Sequence, residues 1–314
     1  SYSGIIGYGI VSNSSFTTVK NCMIVEGVDA GSDKYAVFIQ KGVNGTISNN
    51  SIITSGDNGY GIYIDSTSNY NITSNNISSK GNGAVGIFGV STPNTRIVNN
   101  QILTKGSFGE GIELSSSDRS VVSGNTILTS GSSGFGILLN PSSYVNITNN
   151  TITTIGSSAH GIRSFSFSDF NSFSNNSINT LGTSSYGIFF EVARFSGIVN
   201  NNIKSASYGI YLFDSSDNNI LRGNNITTNG LFAYGINLQK VSSFNIIDIN
   251  NISASLASSN GIRLYDRALF NNISSNNIAT KGSGANGINI DLNSNHTLVR
   301  NNIINIYGDA SSGI

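Results

Sequence analysis

The chain has 314 residues, only 10% of them charged, and its 16 Lys and Arg balance its 16 Asp and Glu. That balance excludes the basic excess of a nucleic-acid binder. Its 38% hydrophobic content and zero net charge separate it from disordered chains despite 47 Asn, 53 Ser and 21 Thr.

The single cysteine, Cys22, rules out an intrachain disulfide and a cysteine cluster for zinc or iron–sulfur chemistry, so no metal or cofactor is expected. No apolar run reaches the roughly 18 to 20 residues of a membrane helix, so no membrane insertion is expected. The chain opens Ser1-Tyr2-Ser3-Gly4 without Met or a signal-like segment, as a processed chain or a piece of a longer one does.

From the N-terminus onward, Gly followed by Ile recurs, usually after an aromatic residue. The glycines are Gly9, Gly61, Gly86, Gly111, Gly136, Gly161, Gly187, Gly209, Gly235, Gly261, Gly287 and Gly313, with Ala36-Val37 filling one gap, at intervals of about 25 residues. An Asn two places before an apolar residue keeps step with them: Asn21, Asn50, Asn75, Asn100, Asn125, Asn150, Asn176, Asn201, Asn224, Asn250, Asn276 and Asn301. Within a repeat, apolar and polar residues alternate over three short stretches, the period of a strand. In the third repeat the inward positions are Ile62 and Ile64, then Ile72, then Ile77.

Three strands and three turns in about 25 residues predict one coil of a parallel β-helix, an all-β solenoid. The pattern predicts a single domain over 1–314, about 12 coils in a rod on the order of 60 Å long. Three interior columns follow: one from Ile62 to Ile288, one from Ile72 through Ile220 to Leu298, and one from Ile52 to Ile303. The aligned asparagines predict a structural ladder of side-chain amides at one turn, and the residues Thr54 through Thr280 a hydroxyl column at the next.

The motif Asn-Asn-x-Ile, a Gly turn, Tyr-Gly-Ile-x-Leu, then Asn/Ser-x-x-Ile resembles the right-handed parallel β-helix repeat of the pectin-lyase-like superfamily. Within it, the likeness is greatest to NosD-type repeats and adhesin-like surface proteins, and it covers about residues 4–314. The resemblance implies the right-handed class and a site, where there is one, on the outward face of the first strand of each coil. There the sequence gathers Arg163, Phe165, Phe189, Glu191, Tyr211, Phe213, Arg263 and Tyr265, aromatic and charged residues suited to a sugar chain or a protein partner.

Cleavage of a glycosidic bond needs two convergent carboxylates. Glu113 lies between Phe88 and Leu138 in its column, Glu191 stands beside Phe213, and Asp214 and Asp217 sit in a serine-rich turn. The paired-Asp and Gly-His-Gly motifs of polygalacturonase-like relatives, and the Asp cluster with Arg of calcium-dependent pectate lyases, are absent. His160 and His296 read as packing and turn residues. No catalytic residue is assigned, and the reading leans away from an enzyme.

Asn-x-Ser/Thr acceptors occur at Asn13, Asn44, Asn71, Asn76, Asn146, Asn225, Asn251, Asn272 and Asn295, and also at Asn49, Asn149 and Asn175, in outward columns or turns where a glycan fits. Gly313-Ile314 begins a further coil, and no capping helix precedes Gly9, so more protein or end-to-end stacking of subunits is expected. The expected function is a structural extracellular or cell-surface solenoid, as a stalk, adhesin-like rod or fibre subunit, with itself or surface glycans as partners. The alternative is a β-helix that binds or cleaves polysaccharide on the first-strand face.

Overall fold

The computed structural model describes residues 7–26 and 33–314; residues 1–6 and 27–32, included above in the single domain over 1–314, lie outside them. The fold is a parallel β-solenoid with three short strands per turn and no helix among the described residues. The chain divides into two compact units, residues 1–159 and 160–314, with six turns in each.

One turn of the first unit runs Ile62–Asp65, Asn71–Thr73, Asn76–Ser79; one of the second runs Ile236–Gln239, Ile246–Asp248, Asn251–Ala254. Within each unit, first strands pair in parallel with first, second with second and third with third. The alternation seen in the sequence becomes alternate burial: Ile62 and Ile64 point into the core, Tyr63 and Asp65 outward.

Gly111 shows why the anchor must be glycine. A Cβ there would lie 2.6 Å from the Gly136 carbonyl oxygen of the next coil and collide with Ile127 Cγ2. The Ile side chain that forbids the Cβ fills the core in its place. The hydroxyl column closes the turn after the third strand: Thr104, Thr129, Thr228 and Thr280 donate to the carbonyl five residues on at 2.6–2.9 Å.

The asparagine ladder is present in both units. Each buried Oδ1 accepts the backbone N–H and the Nδ2–H of the asparagine one coil before, as in Asn75 to Asn100, where both distances are 3.0 Å. Each Nδ2 also donates to a core-strand carbonyl, as Asn100 does to Ile72 at 2.9 Å.

Both ends of the ladder are displaced by one residue from the sequence reading. Cys22, not Asn21, donates its N–H to Asn50 Oδ1 at 2.9 Å, and Asn21 stands in the turn with φ 56°. At the other end Asn276 donates to Asn302, not Asn301, and Asn301 takes φ 55°. The core columns slip with them: Leu221, Val299 and Ile304 align with the inward residues of neighbouring coils, whereas Ile220, Leu298 and Ile303 are exposed. A second buried amide ladder, Asn219 to Asn245 to Asn271, runs beside the second sheet at 2.8 Å per backbone step.

Candidate functional site

In the first unit the outward face of the first sheet is aromatic. Tyr8, Phe38, Tyr63 and Phe88 stack one per coil with centroids 5.0–5.3 Å apart, and Tyr35 and Tyr60 stack beside them at 4.9 Å. The first column ends at Glu113, which is paired in register with Phe88 on one side and Leu138 on the other. Burial raises its carboxyl to about 7. Glu110, buried and three residues earlier, occupies the column of Tyr60 and Phe135, as shown by the Gly86 to Glu110 and Gly111 to Phe135 backbone bonds. Sequence reasoning missed Glu110; its signal was a charged residue in the position before Gly-Ile that an aromatic ring usually holds.

In the second unit the first sheet aligns Arg163, Phe189, Tyr211, Asn237 and Arg263 in one outward column, and Phe165, Glu191, Phe213, Gln239 and Tyr265 in the next. All eight residues singled out from the sequence therefore share one face. Arg163 forms an ion pair with Glu191 at 2.6 Å and lies over the Phe165 ring at 4.6 Å. Arg263 lies over Tyr265 at 4.0 Å and Tyr234 at 5.1 Å. Tyr211 donates its hydroxyl to Gln239 at 2.9 Å.

The aromatic rings on this face are not open platforms. His160, Tyr186, Tyr208 and Tyr234 stack at 4.6–5.0 Å, and Phe189 stacks on Tyr211 at 5.1 Å. Phe189 and Tyr211 are each only 8% exposed, so their faces are spent on each other and they present edges and hydroxyls. Burial, followed by the Tyr234 and Tyr186 phenols, pushes the Tyr208 hydroxyl up to about 12, and burial raises Tyr211 too. These phenols stay protonated at neutral pH and act as hydrogen-bonding groups.

His160 accepts the Tyr186 N–H on Nδ1 at 3.1 Å, and burial with the nearby Arg163 lowers it to about 3. A neutral imidazole already holding a backbone proton donor on Nδ1 is poorly suited to general-base work near pH 7. The Asn237 side chain is fully buried between Tyr211 and Arg263, and neither its Nδ2 nor its Oδ1 has a hydrogen-bond partner. Among the described residues no group of three His, Cys, Asp or Glu is placed to hold a metal.

Residues 3–135 and 135–304 match the family described as right-handed β-helix region. The chain belongs to the right-handed β-helix family. No curated protein sequence matches this β-helix.

Among solved structures, the mannuronan C-5 epimerase AlgE6 A-module of Azotobacter vinelandii is similar at 14% identity and TM-score 0.62, over 94% of this chain and 88% of that one. The periplasmic alginate epimerase AlgG is similar at 14% identity and TM-score 0.55, over 95% and 78%. The lidless DFA-IIIase of Arthrobacter chlorophenolicus A6 is similar at 13% identity and TM-score 0.52, over 87% and 71%. At these identities the likeness is one of fold.

The acceptor asparagines Asn13, Asn44, Asn71, Asn76, Asn146, Asn225, Asn251 and Asn295 are exposed, whereas Asn272 is half-buried and its Oδ1 is enclosed without a partner. Asn225 and Asn251 belong to an exposed amide row, donating to Asn202 at 3.1 Å and to Asn225 at 2.9 Å.

Proposed function

We propose that this protein is an extracytoplasmic polysaccharide-binding β-helix that lays a glycan along the first-sheet face of its second unit. One observation carries the reading: Arg163, Glu191, Tyr211, Gln239, Arg263 and Tyr265 converge on one outward face as hydrogen-bonding heads braced by stacked rings. Support for the ligand class comes from the fold neighbours named for alginate and mannuronan epimerisation, one of them periplasmic. The reading is binding rather than cleavage, because Glu191 is tied to Arg163 and His160 is held neutral.

A second reading, a surface stalk, is favoured by the rings being stacked on one another, an arrangement that stiffens neighbouring coils. The two readings part in native gels containing alginate, pectate, hydroxyethyl cellulose, xylan or inulin. The binding reading expects the chain to be retarded by at least one polymer, with retardation lost in Arg163→Ala and Arg263→Ala but kept in Lys204→Ala on the third sheet. Free migration in every gel, or retardation indifferent to both arginine variants, overturns it.

A further inference from the structure

A separate set of rings stands at the turn between the first and second strands of the second unit. One residue per coil occupies this corner: Phe170, Phe195, Asn218, Phe244, Phe270 and His296, every one with positive φ between 54° and 58°. The backbone bonds Phe195 to Asp217, Asn218 to Ser243 and Phe244 to Leu269 keep them in register. Phe170 and Phe195 stack at 5.0 Å with planes 9° apart, and Phe244 and Phe270 at 5.0 Å with planes 4° apart.

Asparagine tolerates this left-handed corner, and several coils of the first unit use it there, as at Asn44, Asn69 and Asn94. Phenylalanine does not, at a cost of about 1 kcal/mol or more per residue. These rings are also exposed, Phe195 by 48% and Phe244 by 54%, so burial in the core does not offset the strain.

The column is interrupted once, at Asn218. Two coil spacings separate the Phe195 and Phe244 rings, about 10 Å. The amide ends where a phenyl ring would place its Cδ atoms, so the column lacks the outer carbons of one ring between Phe195 and Phe244. The Asn218 side chain is exposed and makes no hydrogen bond among the described residues. Two aromatic faces about 10 Å apart leave room for one puckered six-membered sugar ring, its carbons about 4.5–5 Å from each face and its axial C–H groups directed at the rings. Both sugar faces must then present C–H groups. Only an all-equatorial pyranose does so, because an axial hydroxyl would be pressed unpaired against a ring.

We propose that Phe195 and Phe244 sandwich a β-gluco-configured pyranose over the Asn218 amide, at a site distinct from the first-sheet face. The slot is independent of that face and stands whether or not the face binds polysaccharide.

Saturation-transfer difference NMR with the full chain tests it, using methyl β-D-glucopyranoside and methyl β-D-galactopyranoside as probes. The expected result is transfer to the axial ring protons of the glucoside, with a dissociation constant on the order of millimolar, and binding at least about fivefold weaker for the galactoside. Asn218→Phe fills the slot and continues the column, and is expected to abolish transfer while the far-UV circular dichroism and thermal midpoint stay those of a folded chain. Phe244→Ala removes one wall and is expected to weaken transfer at least about fivefold. No transfer to the glucoside, equal transfer to both glycosides, or transfer that survives Asn218→Phe overturns the proposal.

Discussion

Asn100→Ala tests how much the amide ladder holds the coils together. Asn100 is 1% exposed and sits in mid-ladder. Its Oδ1 accepts Asn75 N–H and Asn75 Nδ2–H, both at 3.0 Å, and its Nδ2 donates to Asn125 Oδ1 at 3.0 Å and Ile72 O at 2.9 Å. Truncation leaves the Asn75 N–H buried without a partner, which costs about 1–3 kcal/mol. Asn75 Nδ2 retains Ile47 O, and Asn125 Oδ1 retains the Asn100 N–H, so those groups lose one bond each rather than all. Adding about 0.5–1 kcal/mol for each such loss gives an expected destabilisation of about 2–5 kcal/mol. Urea unfolding followed by far-UV circular dichroism reads it as a lower midpoint at unchanged slope. Asn277→Ala is the control: its Nδ2 reaches Asn251 Oδ1 at 3.0 Å in the exposed row, where water replaces the bond, and about 0.5 kcal/mol or less is expected. A loss below about 1 kcal/mol at Asn100, or equal losses at the two sites, refutes the energetic role assigned to the buried ladder.

The register at the N-terminal end predicts that Cys22→Asn prolongs the ladder and raises stability by up to about 1 kcal/mol, whereas Asn21→Ala costs only the roughly 1–2 kcal/mol of an alanine held in the left-handed turn; a loss of about 3 kcal/mol or more from Asn21→Ala in the same urea assay would restore the sequence register. Gly111→Ala is expected to cost about 2–3 kcal/mol because its Cβ meets the Gly136 carbonyl and Ile127, while Gly197→Ala, whose Cβ meets only Val199 Cγ2 at 3.7 Å, is expected to be neutral or stabilising in thermal melts. Glu113 is raised by burial from its ordinary 4.5 to about 7, so the folded state binds its proton more tightly than the unfolded state. Its carboxyl therefore costs nothing below pH 4.5, and stability falls as pH rises from there through about 7. Glu113→Gln is expected to stabilise the chain by about 1–2 kcal/mol at pH 8, a figure reduced for partial exposure, and to change nothing at pH 4. Equal midpoint shifts at the two pH values would contradict the burial argument.

The repeat made the fold legible, and the four register errors share one cause. In Asn21-Cys22-Met23-Ile24, Asn219-Ile220-Leu221, Leu298-Val299 and Asn301-Asn302-Ile303-Ile304, two adjacent apolar residues compete for one inward position. A strand shifted by one residue exchanges its faces, and a dipeptide such as Ile303-Ile304 satisfies either choice. The Asn-Asn pairs add to the ambiguity, because asparagine suits both the buried ladder and the left-handed turn beside it. The second ladder escaped notice because Asn219, Asn245 and Asn271 replace a column that is Tyr70, Thr95, Ser120 and Val145 in the first unit, so it lacks a chain-wide period.

Direction was legible in the sequence, but accessibility was not. Alternation places Phe189, Tyr211 and Asn237 on the outward face, yet the long side chains of neighbouring coils cover all three. A spacing of about 4.8 Å between strands of neighbouring coils lets a ring or guanidinium lie across the coil beside it, so an outward residue on a parallel sheet is exposed only when its neighbours are short or point away. Asn237 shows the consequence. Its amide is enclosed with no partner, a state that costs about 1–3 kcal/mol, in the column between Tyr211 and Arg263. An Arg263 side chain that swung off Tyr234 and Tyr265 to meet a glycan would uncover that amide to the same ligand. Part of the penalty stored in the unliganded face would then be released on binding, which makes Arg263, rather than the stacked rings, the side chain on which affinity at this face should depend.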